Sequence, residues 1–92
     1  MFDIHEKIVN ELFEKKSIAA FIWLICQGRE LELSYYGTKA FVSKDSSKYF
    51  VSLWVESSKQ AFSSVEELWE NAVVSEYRLC DIWERVTLDT LF

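Results

Sequence analysis

The stretch KYFVSLWVE, Lys48 to Glu56, decides how this chain is read. Side chains on a strand alternate between its two faces. One set here is Tyr49, Val51, Leu53 and Val55; the other is Phe50, Ser52, Trp54 and Glu56. Both sets carry large apolar groups, so both faces of this strand need cover. The rest of the chain must supply at least one of the covers.

Upstream lies RELELSYYGTKAFVS, Arg29 to Ser43. Leu31, Leu33 and Tyr35 alternate with Glu30, Glu32, Ser34 and Tyr36, the pattern of a half-buried strand. Gly37 with Thr38 is the expected turn. The return strand, Lys39–Ser43, puts Ala40 and Val42 on one face and Phe41 on the other. KDSSK, Lys44 to Lys48, reads as a polar loop, and a short segment around Gln60–Phe62 adds an edge. The result is a three- to four-stranded antiparallel sheet. Its aliphatic face is Leu31, Leu33, Tyr35, Ala40, Val42, Val51, Leu53 and Val55, as expected of a sheet packed on helices. Its other face pools Tyr36, Phe41, Phe50 and Trp54 with Glu30, Glu32, Ser34 and Glu56. That is an aromatic patch rimmed by charge, the composition of an interaction surface. Three covers compete: the N-terminal helix folded across it, a second copy, or a partner protein. A one-residue slip in register would exchange the two sets.

Helical periods flank the sheet. Ile4, Ile8 and Leu12 recur at four-residue spacing with Val9 and Phe13 beside them, and Asp3 stands at the N-cap position. Ser17 can cap IAAFIWLIC, Ile18 to Cys26, and Gly28 stops it. In that segment Ile18, Phe21, Ile22 and Ile25 share one face; Ala19, Trp23 and Cys26 share another. Its apolar girth implies cover on most sides. Residues 3–27 fit one bent helix or two. After the sheet, FSSVEELWENA pairs Ser63 with Glu66 and Ser64 with Glu67, either of which makes a capping box. Val65, Leu68, Trp69 and Ala72 form the inner stripe of this helix. A last helix holds Leu79, Ile82, Trp83 and Val86, and TLDTLF, Thr87 to Phe92, follows as an extended tail. The fold class is α+β: an N-terminal helix or helix pair, the sheet, then two C-terminal helices, in one domain over residues 1–92. The absence of proline and the presence of only two glycines leave little room for long irregular loops.

Charge is unevenly placed. Residues 1–59 hold eight acids and eight bases, whereas residues 60–92 hold seven acids and two bases. An acidic surface repels phosphate backbones and suits a basic partner. Cys26 and Cys80 fit no zinc or Cys-x-x-Cys spacing, and their apolar surroundings suggest small buried hydrophobes in a reduced, cytoplasmic protein. Asp3, His5, Glu6 and Lys7 interrupt any early apolar run, so no signal peptide is read, and Ile18–Cys26 is about half the length of a membrane span.

Three pieces have a familiar look in combination: GRELELSYYG (Gly28–Gly37), FSSVEELWENA (Phe62–Ala72) and LCDIW (Leu79–Trp83). Together they resemble a class of small uncharacterised bacterial proteins with a G-R-E-x-E-x-x-Y-x-G hairpin, an E-E-L helix and an L-x-x-I-W helix. The likeness covers about two thirds of the chain. The chain departs from that class at VSEYRL (Val74–Leu79), where the class carries a glycine turn. The resemblance implies the same order of elements and a bacterial setting, with a mobile element as one source. It supplies no activity and no functional residue.

Catalytic chemistry is sparse. The single histidine, His5, falls on the first turn of a helix and reads as solvated; a general base needs partners that order it. The serines cluster in loops and caps, where backbone hydrogen bonding accounts for them. Glu66, Glu67 and Glu70 lie on one helix with Glu66 and Glu70 a turn apart, but helix-cap electrostatics explains them. No calcium loop, phosphate-cradling loop or metal-ligand spacing is present, so no catalytic residue, metal, cofactor or small-molecule ligand is assigned. Lys39, Lys44, Lys48 and Lys59 flank the aromatic strands, as on RNA-stacking sheets, yet the overall acidity argues against nucleic acid. The expectation is a non-enzymatic protein–protein interaction module, such as an inhibitor or immunity-type protein that binds a basic partner. Its candidate surface is Tyr36, Phe41, Phe50 and Trp54 on the sheet, with Glu66, Glu67, Glu70, Glu76, Asp81 and Glu84 on the acidic helices. The alternatives are a structural homodimer, an RNA-binding aromatic sheet or a small enzyme; no membrane partner is read.

Overall fold

Helix α1 (Ile4–Lys15) begins where Asp3 accepts hydrogen bonds from the His5 and Glu6 amides. It ends because Lys16 turns into the left-handed region, with φ 50°, and Ser17 then caps α2 (Ile18–Cys26) through the Ala20 amide. The N-terminal segment is therefore two helices. The computed structural model describes residues 3–45 and 50–92. Lys48 and Tyr49, and most of the expected KDSSK loop, lie outside them. Lys44 and Asp45 belong to a strand.

Five strands form the main antiparallel sheet, in the order β4-β3-β2-β1-β7. They are β1 (Leu31–Tyr35), β2 (Thr38–Asp45), β3 (Phe50–Val55), β4 (Ser58–Phe62) and β7 (Thr87–Leu91). The chain is α+β, as its periods require. The segment around Gln60 is the expected edge, and the C-terminal tail is a full strand beside β1 that adds a fifth member. The β1–β2 turn is Tyr36–Gly37, one residue earlier than its glycine suggests. Both residues have positive φ, 47° and 85°, as a two-residue hairpin demands.

Helix α3 (Val65–Asn71) starts at Ser64, which accepts from the Glu67 amide. The Glu67 carboxylate reaches back to the Ser63 amide and hydroxyl, one residue beyond the usual capping-box partner. A small hairpin follows, β5 (Val73–Val74) and β6 (Tyr77–Arg78). Its turn uses Ser75 and Glu76 at φ 51° and 74°. The expected last helix is a single α turn, α4 (Leu79–Ile82), running into a 3-10 turn at Trp83–Arg85. Leu79, Ile82, Trp83 and Val86 are all buried, so the spacing marked the right side chains in a shorter helix.

The core lies between the inner sheet face and the helices. Leu31, Leu33, Tyr35, Ala40, Val42, Val51 and Leu53 point into it, with Val55 at its margin. From the helices come Leu12, Phe21, Leu24, Ile25, Val65 and Leu68. The rings of Phe21, Trp69 and Trp83 pack on one another, with centroids 5.0 to 6.3 Å apart. The face assignment therefore holds without a slip. Within α2 the buried stripe is Ala20, Phe21, Leu24 and Ile25, not one that includes Ile18, and Ala19 and Cys26 face solvent. Only Leu12 of the α1 stripe is fully buried. Both cysteines are free thiols, Cys26 exposed and Cys80 half-buried, so neither is the buried hydrophobe expected. No helix among the described residues is long and apolar enough to cross a membrane.

Candidate interaction surfaces

The outer sheet face is built by register. Phe41 on β2 stands directly across from Trp54 on β3; Glu32 on β1 flanks Phe41, and Lys59 on β4 flanks Trp54. One cross-strand row therefore reads Glu32, Phe41, Trp54, Lys59. The Lys59 ammonium sits 5.4 Å from the Trp54 ring centre. The next row holds only Ser43, Ser52 and Ala61 on β2, β3 and β4. Ser52 is buried between its larger neighbours, Phe50 and Trp54 along the strand. Phe92 leans over the far side with its ring 5.9 Å from that of Phe41.

The N-terminal helix does not cover this face. Helix α1 packs against α2 in the helical layer, and Phe50 and Trp54 remain 46% and 37% exposed. The structure separates Tyr36 from the patch. As a turn residue it is 82% exposed, with its ring edge-on to Tyr35, which in turn meets Tyr77. Glu56 is likewise a turn residue, at φ 55°. The basic rim thins as well. Lys44 turns to the inner side and donates to the Cys26 carbonyl at 3.1 Å, while Lys48 lies outside the described residues.

The acidic residues lie on α3, α4 and the 3-10 turn, except Glu76, which sits in the turn of the small β5–β6 hairpin and not on a helix. Glu66, Glu67, Glu70, Glu76, Asp81 and Glu84 are all exposed. Helix α3 packs on α4, and the Cys80 thiol lies 3.7 Å from the Glu70 carbonyl, which joins the two acidic stretches. Two of the six are engaged locally: Glu67 in the cap, and Asp81 in an ion pair with Arg78 at 3.1 Å. The hydrogen bond that Arg78 donates to Asp81, then the Asp81 charge, holds the Arg78 guanidinium above its ordinary pKa. A pocket of about 420 Å³ opens between α2 and the C-terminal turns, lined by Ile18, Trp69, Cys80, Asp81, Trp83, Glu84 and Arg85. Its lining combines tryptophan and isoleucine with the carboxylates Asp81 and Glu84 and the base Arg85. Among the described residues no cluster of His, Cys, Asp and Glu could hold a metal ion.

Two positioning residues escaped the sequence reading. Lys16 donates to the Trp83, Glu84 and Val86 carbonyls, and the Trp83 indole donates back to the Lys16 carbonyl at 2.9 Å. Partial burial lowers the Lys16 ammonium below its ordinary pKa, and the Glu84 charge opposes that shift. This latch ties the α1–α2 junction to the backbone of Trp83 and Glu84, two residues that line the tryptophan pocket. Gln60 pairs its side-chain amide with both backbone groups of Val73, at 2.7 and 2.8 Å, and so ties the small hairpin to β4. His5 is half-buried: its ring packs edge-on to Trp23, and its Nε2 meets Arg29, which also donates to the Phe92 carbonyl. Neither a protein-family model, nor a curated protein, nor a solved structure matches this chain.

Proposed function

We propose that this chain is a protein-binding module that captures a basic protein through its helical layer, in the manner of an inhibitor or immunity-type protein. One observation carries the reading: a pocket lined by Ile18, Trp69 and Trp83 also has two exposed carboxylates, Asp81 and Glu84, in its lining against the single base Arg85. A lysine or arginine side chain has the matching shape, an apolar stem with a cationic head. Desolvated tryptophans are frequent energetic centres of such contacts, and surrounding carboxylates raise the association rate of a cationic partner. Glu66, Glu67, Glu70 and Glu76 extend the field around this anchor.

The test is affinity capture on the immobilised chain, followed by titration of the captured protein against variants. Glu66→Lys with Glu70→Lys is expected to weaken binding about tenfold or more at low salt, since opposite charges become like charges. Trp54→Ala, on the other face, leaves that affinity in place. If the double reversal binds as wild type does, or if the captured protein is not basic, the reading fails.

A further inference from the structure

The outer sheet face carries its own complement. Its central row runs Glu32, Phe41, Trp54, Lys59 across β1, β2, β3 and β4. Across these four strands the acid flanks one aromatic ring and the base flanks the other, and Thr90 of β7 continues the row beyond Glu32. With strands about 4.8 Å apart, Glu32 and Lys59 each lie about 7 Å from the midline between β2 and β3. A two-fold axis along that midline, parallel to the strands, exchanges the two ends of the row. It would set Lys59 of each copy over Glu32 of the other, and Phe41 of each over Trp54 of the other. The small-residue row follows the same symmetry, with Ser43 facing Ser52. We infer that this face is the interface of a homodimer in which two copies of the sheet pack face to face about that axis.

Three features support a second copy rather than a different partner. The charge pattern is self-complementary: it satisfies itself on a two-fold rotation, whereas a uniformly basic partner would meet Lys59 and Lys39 on this face. An isologous interface has this property, residue i meeting j while j meets i. The face is also aromatic at its centre and charged at its edge, with Phe50 and Trp54 exposed. Last, tilting that axis by about 15° from the strands gives the difference of about 30° in mean strand direction usual in aligned sheet packing. The inference is independent of the basic-partner reading, because the acidic pocket opens on the helical layer and stays free in such a dimer.

The interface is small. Centred on the β2–β3 midline, β1 to β4 overlap their counterparts over about 19 by 17 Å, below the size of a standard stable interface, so a dissociation constant in the high micromolar range or weaker is expected. Sedimentation equilibrium at low salt, from about 1 μM to about 1 mM, should show a monomer passing into a dimer. Trp54→Ala should weaken it about tenfold or more. Glu32→Lys and Lys59→Glu should each weaken it about tenfold, since every substitution strikes two symmetry-related pairs and adds repulsion. Glu32→Lys combined with Lys59→Glu rebuilds the row with its ends exchanged, and association should return to near the wild-type value. A wild-type monomer at every concentration overturns the inference. So does a double reversal no better than the single ones, with far-ultraviolet circular dichroism showing all variants folded.

Discussion

Leu53 and Trp54 are neighbours in the chain, and they belong to two different surfaces. Leu53 is completely buried on the aliphatic inner face, while Trp54, the larger side chain, stands 37% exposed on the outer one. The inner face is closed by α2 and α3; the outer face has rings where a solvated sheet would carry polar groups. The difference teaches that size and hydrophobicity do not rank residues by their part in folding. Position in the register does, because one step along a strand changes faces. The inner face holds the molecule together, and the outer face is available to something else.

Leu53→Ala is the strongest way to break this comparison. Leaving a cavity in a packed interior should cost about 2–5 kcal/mol, read as a shift in the urea midpoint at unchanged slope. A chain of this size has a total stability on the order of 5–10 kcal/mol, so partial unfolding at 37 °C would accompany it. A loss below about 1 kcal/mol would mean that the inner face repacks and the two surfaces are less distinct than their exposures imply.

Lys16→Met comes next. It keeps the aliphatic stem and removes the donor to the Trp83, Glu84 and Val86 carbonyls. Hydrogen bonds from a charged donor are worth about 1.5–3 kcal/mol, and water can replace part of this at a half-exposed site, so a loss of about 1–2 kcal/mol is expected. The comparison is sharpened by where the effect appears. Trp83 fluorescence and binding at the tryptophan pocket should change, whereas association through the sheet face should not. A change in both would couple the helical layer to the outer face.

The legibility of this chain followed the reach of the interactions. Alternation placed Leu31, Leu33, Val42 and Leu53 inside, because period-two burial is local grammar. Caps at Asp3, Ser17 and Ser64 were legible for the same reason: donor and acceptor lie within three residues. What stayed hidden needed distant partners. TLDTLF carries no strand alternation strong enough to announce β7, and its place is set by β1, more than fifty residues earlier. Lys16 looks like an ordinary surface lysine until the C-terminal turns, 67 residues on, bring carbonyls to it. The aromatic patch is legible as a composition, but parity alone places Tyr36 in it. The hairpin turn takes Tyr36 out of the alternation and moves it beside Tyr35. The exposure of Cys26 is not legible, because an apolar helix does not say which of its sides the sheet will cover.

Gln60→Ala tests a long-range tie of intermediate size. Both hydrogen bonds go to the backbone of Val73, and the site is partly exposed, so a loss of about 1–2 kcal/mol is expected. The Val73 amide should lose protection in hydrogen exchange while the Leu53 amide keeps it. Equal loss at both would show the small hairpin and the main sheet opening as one unit.

Trp54→Ala is the smallest expected effect on folding and the most informative. The substitution deletes more atoms than Leu53→Ala does. Yet the ring lies on an uncovered face, where a cross-strand pair such as Phe41–Trp54 contributes about 0.2–1 kcal/mol, so the loss in a monomer should be about 1 kcal/mol. The measurement belongs at about 1 μM, below the range in which the face is expected to associate. A loss there as large as that of Leu53→Ala would mean that the chain's own residues pack on the outer face, and both the homodimer and the comparison would fall. A small loss at low concentration that grows as the protein is concentrated has another cause. Mass action then adds the energy of the second copy to the stability of the first, and Trp54 is where that energy is held.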